Sequence, residues 1–173
     1  MLRQAATLFS EIAKGLSEHH WRGRAHYELG LVQFDRRQYR SAERSFEKAF
    51  RVYAVPKALF ELGRCAVKTG RDTKGVEQFE AYARLYPNLE GAAEALWNSA
   101  MAYERRRKHR EARKLFLKLA ARYPRSSFAD KGRWRAGFAL FQVKEYEEAA
   151  RAFLGLAKST EESYLRDQGF YWA

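Results

Sequence analysis

The feature that most constrains this chain is a small residue followed four positions later by phenylalanine, recurring on an almost constant period. The pairs are Ala5/Phe9, Ala42/Phe46, Gly75/Phe79, Ala112/Phe116 and Ala149/Phe153, with 37, 33, 37 and 37 residues between successive phenylalanines. A spacing of four puts both members on one face of a helix, one turn apart. A period of this length means one supersecondary unit repeated along the chain, each copy burying its apolar face against the next.

A second column runs twelve residues ahead of the small residue. Leu29-Gly30, Leu62-Gly63, Ser99-Ala100 and Ala136-Gly137 occupy it, and Pro87 and Pro124 close two units inside Tyr-Pro pairs. The order Leu-Gly, then small-x3-Phe, then Pro resembles the tetratricopeptide repeat, most clearly in Leu59-x2-Leu62-Gly63 followed by Phe79 and Pro87. Small residues let the two helices of a hairpin approach, and the phenylalanine is expected to fill the space between neighbouring hairpins. The fold class expected is all-α, a right-handed solenoid of tetratricopeptide-like antiparallel helix pairs. Ten helices are predicted, over 2–17, 21–36, 39–53, 56–69, 72–86, 91–106, 109–122, 127–143, 146–158 and 163–173. Short polar or Gly-containing turns such as Lys68-Thr69-Gly70-Arg71-Asp72 separate them. The extra residues of the longer units fall in Asn88-Leu89-Glu90-Gly91 and Arg125-Ser126-Ser127-Phe128, where they are expected to lengthen the first helices. The first predicted helix has the phase of a second helix and the last that of a first helix. Residues 1–173 therefore read as one solenoid that opens and closes in mid-repeat, a segment of a longer one.

Composition fits a packed chain, with 46% hydrophobic residues and three prolines. No stretch approaches the roughly 20 apolar residues of a membrane-spanning helix. Cys65 is the single cysteine, which excludes an intramolecular disulfide and paired-cysteine zinc sites, and it is expected to be an inert buried thiol. The chain holds no phosphate-cradling glycine loop and no His-Glu-x2-His. Glu18-His19-His20 lacks a further ligand at metal spacing, and Glu147-Glu148 lacks an apolar pocket to tune an acid. No catalytic residue, metal site or cofactor is predicted.

The binding candidates form a stripe on the first helices. Tyr27, Phe60, Trp97, Trp134 and Tyr171 share one place in the repeat, and Phe34, Arg64, Met101, Phe138 and Phe141 lie one or two turns further on. In tetratricopeptide proteins this stripe usually lines the groove where ligands bind, and rings suit an extended peptide or a sugar chain. The same spacing also suits rings that fill the core between successive first helices, and the sequence leaves both open. A net charge of +12 favours acidic partners. The densest run is Arg105-Arg106-Arg107-Lys108-His109-Arg110, and Arg122, Arg125, Lys131, Arg133 and Arg135 form a second cluster. Glu43, Glu47, Glu77, Glu80, Glu147 and Glu148 interrupt any basic stripe, which argues against nucleic acid.

A further resemblance lies in the C-terminal third. Tyr-Pro-Arg-Ser-Ser-Phe-Ala-Asp at 123–130, Arg133-Trp134-Arg135-Ala136-Gly137-Phe138-Ala139-Leu140-Phe141 and Glu145-Tyr146-Glu147-Glu148-Ala149-Ala150 resemble the superhelical region of soluble lytic murein transglycosylases. Tyr164-Leu165-Arg166 and Phe170-Tyr171-Trp172-Ala173 resemble the point where those chains enter Tyr-Trp-x-Gly-Arg helices. The Tyr-Pro-x-Ser-x2-Ala turn is also similar to turns in periplasmic tetratricopeptide proteins of outer-membrane assembly and cell division. The resemblance implies a periplasmic or envelope-associated scaffold whose superhelix embraces a peptidoglycan strand or a lysozyme-like domain. That domain's Glu-Ser and Gly-Leu-Met-Gln motifs are absent, so its activity does not carry over. Two readings stand: the non-catalytic superhelical segment of a peptidoglycan-processing enzyme, or a free-standing protein-interaction module.

Overall fold

The computed structural model describes residues 2–15 and 19–173, and among them every regular element is an α-helix. In chain order these are α1 (Leu2–Gly15), α2 (His19–Asp35), α3 (Tyr39–Tyr53), α4 (Pro56–Lys68), α5 (Asp72–Leu85), α6 (Ala92–Arg105), α7 (His109–Arg122), α8 (Ala129–Gln142), α9 (Tyr146–Ser159) and α10 (Ser163–Trp172). The expected all-α repeat architecture is the one observed. The end predicted for the first helix, beyond Gly15, lies outside the described residues. Contacts divide the chain into two compact units, Met1–Tyr86 and Pro87–Ala173. In the first, α1 to α5 pack each on the next; in the second, α6 to α10 do the same, with α10 also touching α8.

Each hairpin is closed by the same backbone device. Arg37, Gly70, Arg107 and Lys144 have left-handed φ values of 58°, 76°, 56° and 66°. Each donates its N–H to the carbonyl three residues back, and the following residue donates to the carbonyl five back, as in Gln38 N–H to Gln33 and Lys108 N–H to Tyr103. This paired closure satisfies orphan carbonyls at the helix end. Only one of the four residues is glycine, so three turns carry a conformation that costs an L-residue about 1–2 kcal/mol.

The core runs through the recurring phenylalanines. Phe46, Phe116 and Phe153 are fully buried and Phe79 is 2% exposed. A β-carbon added at Gly30 would lie 2.5 Å from the ring of Phe46, at Gly63 2.7 Å from Phe79, and at Gly137 2.9 Å from Phe153. The ring therefore lies over the glycine of its own hairpin, and Phe153 also meets Trp172 of the following helix α10, 6.0 Å between ring centres. The third hairpin has buried Ala100 at this place in the repeat.

The extra residues of the longer units do not extend the first helices, as the sequence had suggested. They form turns, because Pro87 and Pro124 break the helical hydrogen bonding and α6 and α8 begin only at Ala92 and Ala129. Gly91, with φ of 97°, caps α6. The Tyr123 hydroxyl donates to the Pro87 carbonyl at 3.0 Å, tying the two proline turns together.

Candidate functional site

The first-helix stripe divides into rings with one side in the core, and rings and cations engaged elsewhere. In the first unit Tyr27 is half-buried with its ring 5.7 Å from Phe46, and Phe60 is half-buried at 5.3 Å from Phe79 and 5.6 Å from Tyr82. In the second unit Trp97 lies 5.3 Å from Phe116, and Trp134 lies 5.9 Å from Phe153. Each of these rings leans on the phenylalanine of its own hairpin and keeps part of its surface accessible. Met101 is half-buried beside this row. Beyond Trp134 the rings form a ladder: Trp134 stacks on Phe138 at 5.3 Å and 11°, and Phe138 on Phe141 at 6.0 Å and 17°.

Other expected members fall elsewhere. Phe34 is buried under the Arg64 guanidinium, 4.4 Å from the ring centre. Tyr171 is 81% exposed and leans on no hairpin phenylalanine among the described residues. Its neighbour Trp172, which sequence reasoning passed over, takes the packed place, 5.3 Å from Phe141 and 5.8 Å from Phe138. The cations are engaged as well. Arg64 donates to both oxygens of Glu61, Arg135 to Glu104 at 3.2 Å, and Arg133 to Asp130. None of the three is a free cation for a ligand carboxylate.

A cleft of about 540 Å³ opens beside Tyr27 in the first unit. Its walls are His20, Arg24, Tyr27, Glu28 and Leu31 of α2, then Tyr53, Val55, Pro56 and Lys57. Ala54, with φ of 48°, ends α3 in one left-handed step, and Pro56 starts α4 two residues later. That tight connection carries Tyr53 and Lys57 to the mouth beside the stripe. Only the Ala-Val-Pro sequence hinted at it. The cleft joins apolar and aromatic surface to two cations, Arg24 and Lys57, with Arg24 3.9 Å from Glu28. Burial and then the charges of Glu61 and Glu28 push the Tyr27 hydroxyl up to about 12, so it is a neutral hydrogen-bond donor at ordinary pH.

Models of the tetratricopeptide repeat match residues 27–90 and 94–126. The chain carries tetratricopeptide repeats. Solved tetratricopeptide structures share its fold. YrrB, described as a tetratricopeptide protein with an unusual peptide-binding site, superposes with a TM-score of 0.70 at 19% identity, covering 98% of this chain and 84% of its own. MamA from Desulfovibrio magneticus, residues 41 to the end, gives 0.65 at 15% identity over 87% and 82%. The C-terminal part of a repeat protein from Cytophaga hutchinsonii gives 0.73 at 16% identity over 99% and 63%. No curated protein sequence matches the chain.

Outside the stripe the tetratricopeptide chain offers little reactive chemistry. Cys65 is buried in α4, and burial raises its thiol to about 12, which leaves almost no thiolate. Glu18 of the Glu18-His19-His20 run lies outside the described residues. Among the described residues no three His, Cys, Asp or Glu side chains gather as a metal site, and no helix is long and apolar enough to cross a membrane. In the basic turn Arg110 pairs with Glu145 at 3.0 Å and Lys108 approaches Glu111 at 3.9 Å.

Proposed function

We propose that this chain is a non-catalytic tetratricopeptide scaffold that binds an extended segment of a protein partner through its first helices. The observation that carries the reading is the cleft beside Tyr27. Its volume suits one or two side chains, its walls combine rings with aliphatic surface, and its cations favour a segment with acidic residues next to an apolar anchor. The half-exposed rings of Phe60, and of Trp97, Trp134 and Phe138 in the second unit, offer further stacking places for the same kind of ligand. A peptide-binding site on YrrB, a chain of the same fold, supports the choice of ligand.

The test is a peptide array probed with wild-type protein and with Tyr53→Ala and Lys57→Glu. Tyr53 is 53% exposed and Lys57 is exposed, so both substitutions spare the core. Both variants should lose the acidic-apolar peptides that wild type selects while keeping its thermal midpoint. Unchanged selection by both variants would exclude the cleft.

The envelope reading rests on residues 123–173, whose sequence resembles the superhelix of lytic transglycosylases. On that reading the chain is periplasmic or envelope-associated and its partner is a peptidoglycan strand lying on the Trp134–Phe138–Phe141 ladder. Sedimentation with purified cell wall, abolished by Phe141→Ala, is the outcome that supports it; no sedimentation by wild type removes it.

A further inference from the structure

We propose that Arg40 and Arg44 of α3 form a binding site for a phosphorylated side chain on the protein partner, separate from the first-helix cleft. The inference rests on the protein-binding reading above and adds a second point of contact. A cleft of about 470 Å³ is lined by Arg40, Glu43 and Arg44 of α3 and by Arg71 at the turn between α4 and α5. None of these walls belongs to a first helix.

The charges in this cleft are divided into spent and unspent. Glu43 is 8% exposed and saturated: it accepts from Arg71 at 2.6 and 3.1 Å and from Lys74 at 2.7 Å. Arg71 is also locked by two donations to the Thr69 hydroxyl, at 2.9 and 3.0 Å. Lys74 lies 3.9 Å from Glu47 as well. Among the walls three guanidiniums therefore stand against one carboxylate, and the surplus sits on Arg40 and Arg44. Both are exposed, and neither has an ion pair or hydrogen bond among the described residues. They are one helical turn apart, where like charges repel and weaken the helix. A doubly charged anion between them removes that repulsion.

The donor set selects the anion. Each guanidinium presents a planar fork of N–H groups, and two free forks match the three terminal oxygens and double charge of a phosphate monoester. A single carboxylate fills one fork and leaves the second charge unmet. The cleft is wider than a phosphate group, which leaves room for the chain that bears it.

The experiment is an NMR titration of the whole chain, following Arg Nε–H and backbone amides. The probes are a blocked Gly-Gly-phosphoserine-Gly-Gly peptide, the same peptide with glutamate, and inorganic phosphate. Saturable shifts should appear at Arg40 and Arg44, with the phosphopeptide binding about tenfold more tightly than the glutamate peptide. Arg40→Ala/Arg44→Ala should remove the shifts, whereas Arg51→Ala, an exposed cation on the same helix outside the cleft, should not. Absence of saturable shifts, equal affinity for the glutamate peptide, or undiminished binding by the double variant overturns the proposal. Inorganic phosphate binding as tightly as the phosphopeptide overturns the choice of a protein-borne phosphate. The outcome is independent of the first-helix cleft, because Tyr53→Ala and Lys57→Glu alter other walls.

Discussion

Substituting alanine for glycine in a helix ordinarily stabilises it by about 0.5–1 kcal/mol, through propensity alone. Gly155 of α9 should behave that way, since nothing lies within 4 Å of an added β-carbon there. Gly30 should do the opposite. Its added β-carbon would lie 2.5, 2.6 and 2.9 Å from three atoms of the Phe46 ring, where carbon contacts are comfortable only near 3.5–4.0 Å. The ring must retreat by about 1 Å, and Phe46 is fully buried, so its neighbours must move with it. Overpacking of this kind costs about 1–3 kcal/mol, which outweighs the propensity gain. Gly30→Ala should therefore be destabilising by about 0.5–2 kcal/mol, and trimming the ring with Phe46→Leu should make the double variant milder than the two single costs added together. The assay is urea unfolding followed by circular dichroism, with amide hydrogen exchange over α2 and α3 reading the first unit directly. If Gly30→Ala stabilises as much as Gly155→Ala, the reasoning about ring-over-glycine packing fails.

Other outcomes follow from the turns and the buried polar groups. Lys144→Gly relieves a left-handed lysine at φ 66° and should stabilise by about 0.5–1 kcal/mol net of the extra unfolded-state entropy, measured by urea unfolding; a loss would show that the side chain contributes more than its strain costs. Tyr123→Phe removes the bond to the Pro87 carbonyl and should cost about 0.5–1.5 kcal/mol, with faster amide exchange in the turn over 86–91. Acid should weaken the first unit in two stages. Burial, with Lys48 and Arg22, holds His26 below its ordinary 6.5, and the bond from Arg71 holds Glu43 below 4.5. In both cases the unfolded chain takes up the proton first, so stability falls as pH drops below about 6.5 and again below about 4.5. Glu43→Gln should flatten the lower step alone in a urea-midpoint profile against pH.

Sequence periodicity determined the helices because every second helix carries a small-x3-Phe mark and the helices between them carry the small-residue column twelve positions ahead, and the steps of 33 and 37 residues count the hairpins without reference to contacts. Predicted bounds such as 39–53 and 109–122 coincide with α3 and α7, since Pro56 and the turn residues act locally. The site was legible only as a stripe. Whether a ring on it is core or surface depends on what the neighbouring helix presents, and that separation is long in sequence: Trp134 leans on Phe153, while Tyr171 at the same repeat place meets no such ring. The same holds for charge. Arg135 and Glu104, or Arg71 and Glu43, are about thirty residues apart, so only the folded chain decided which cations are spent and which, like Arg40 and Arg44, remain free. Left-handed turns at Arg37, Arg107 and Lys144 were hidden for a related reason: no glycine marks them, and the strain is held by hairpin packing that local propensity does not contain.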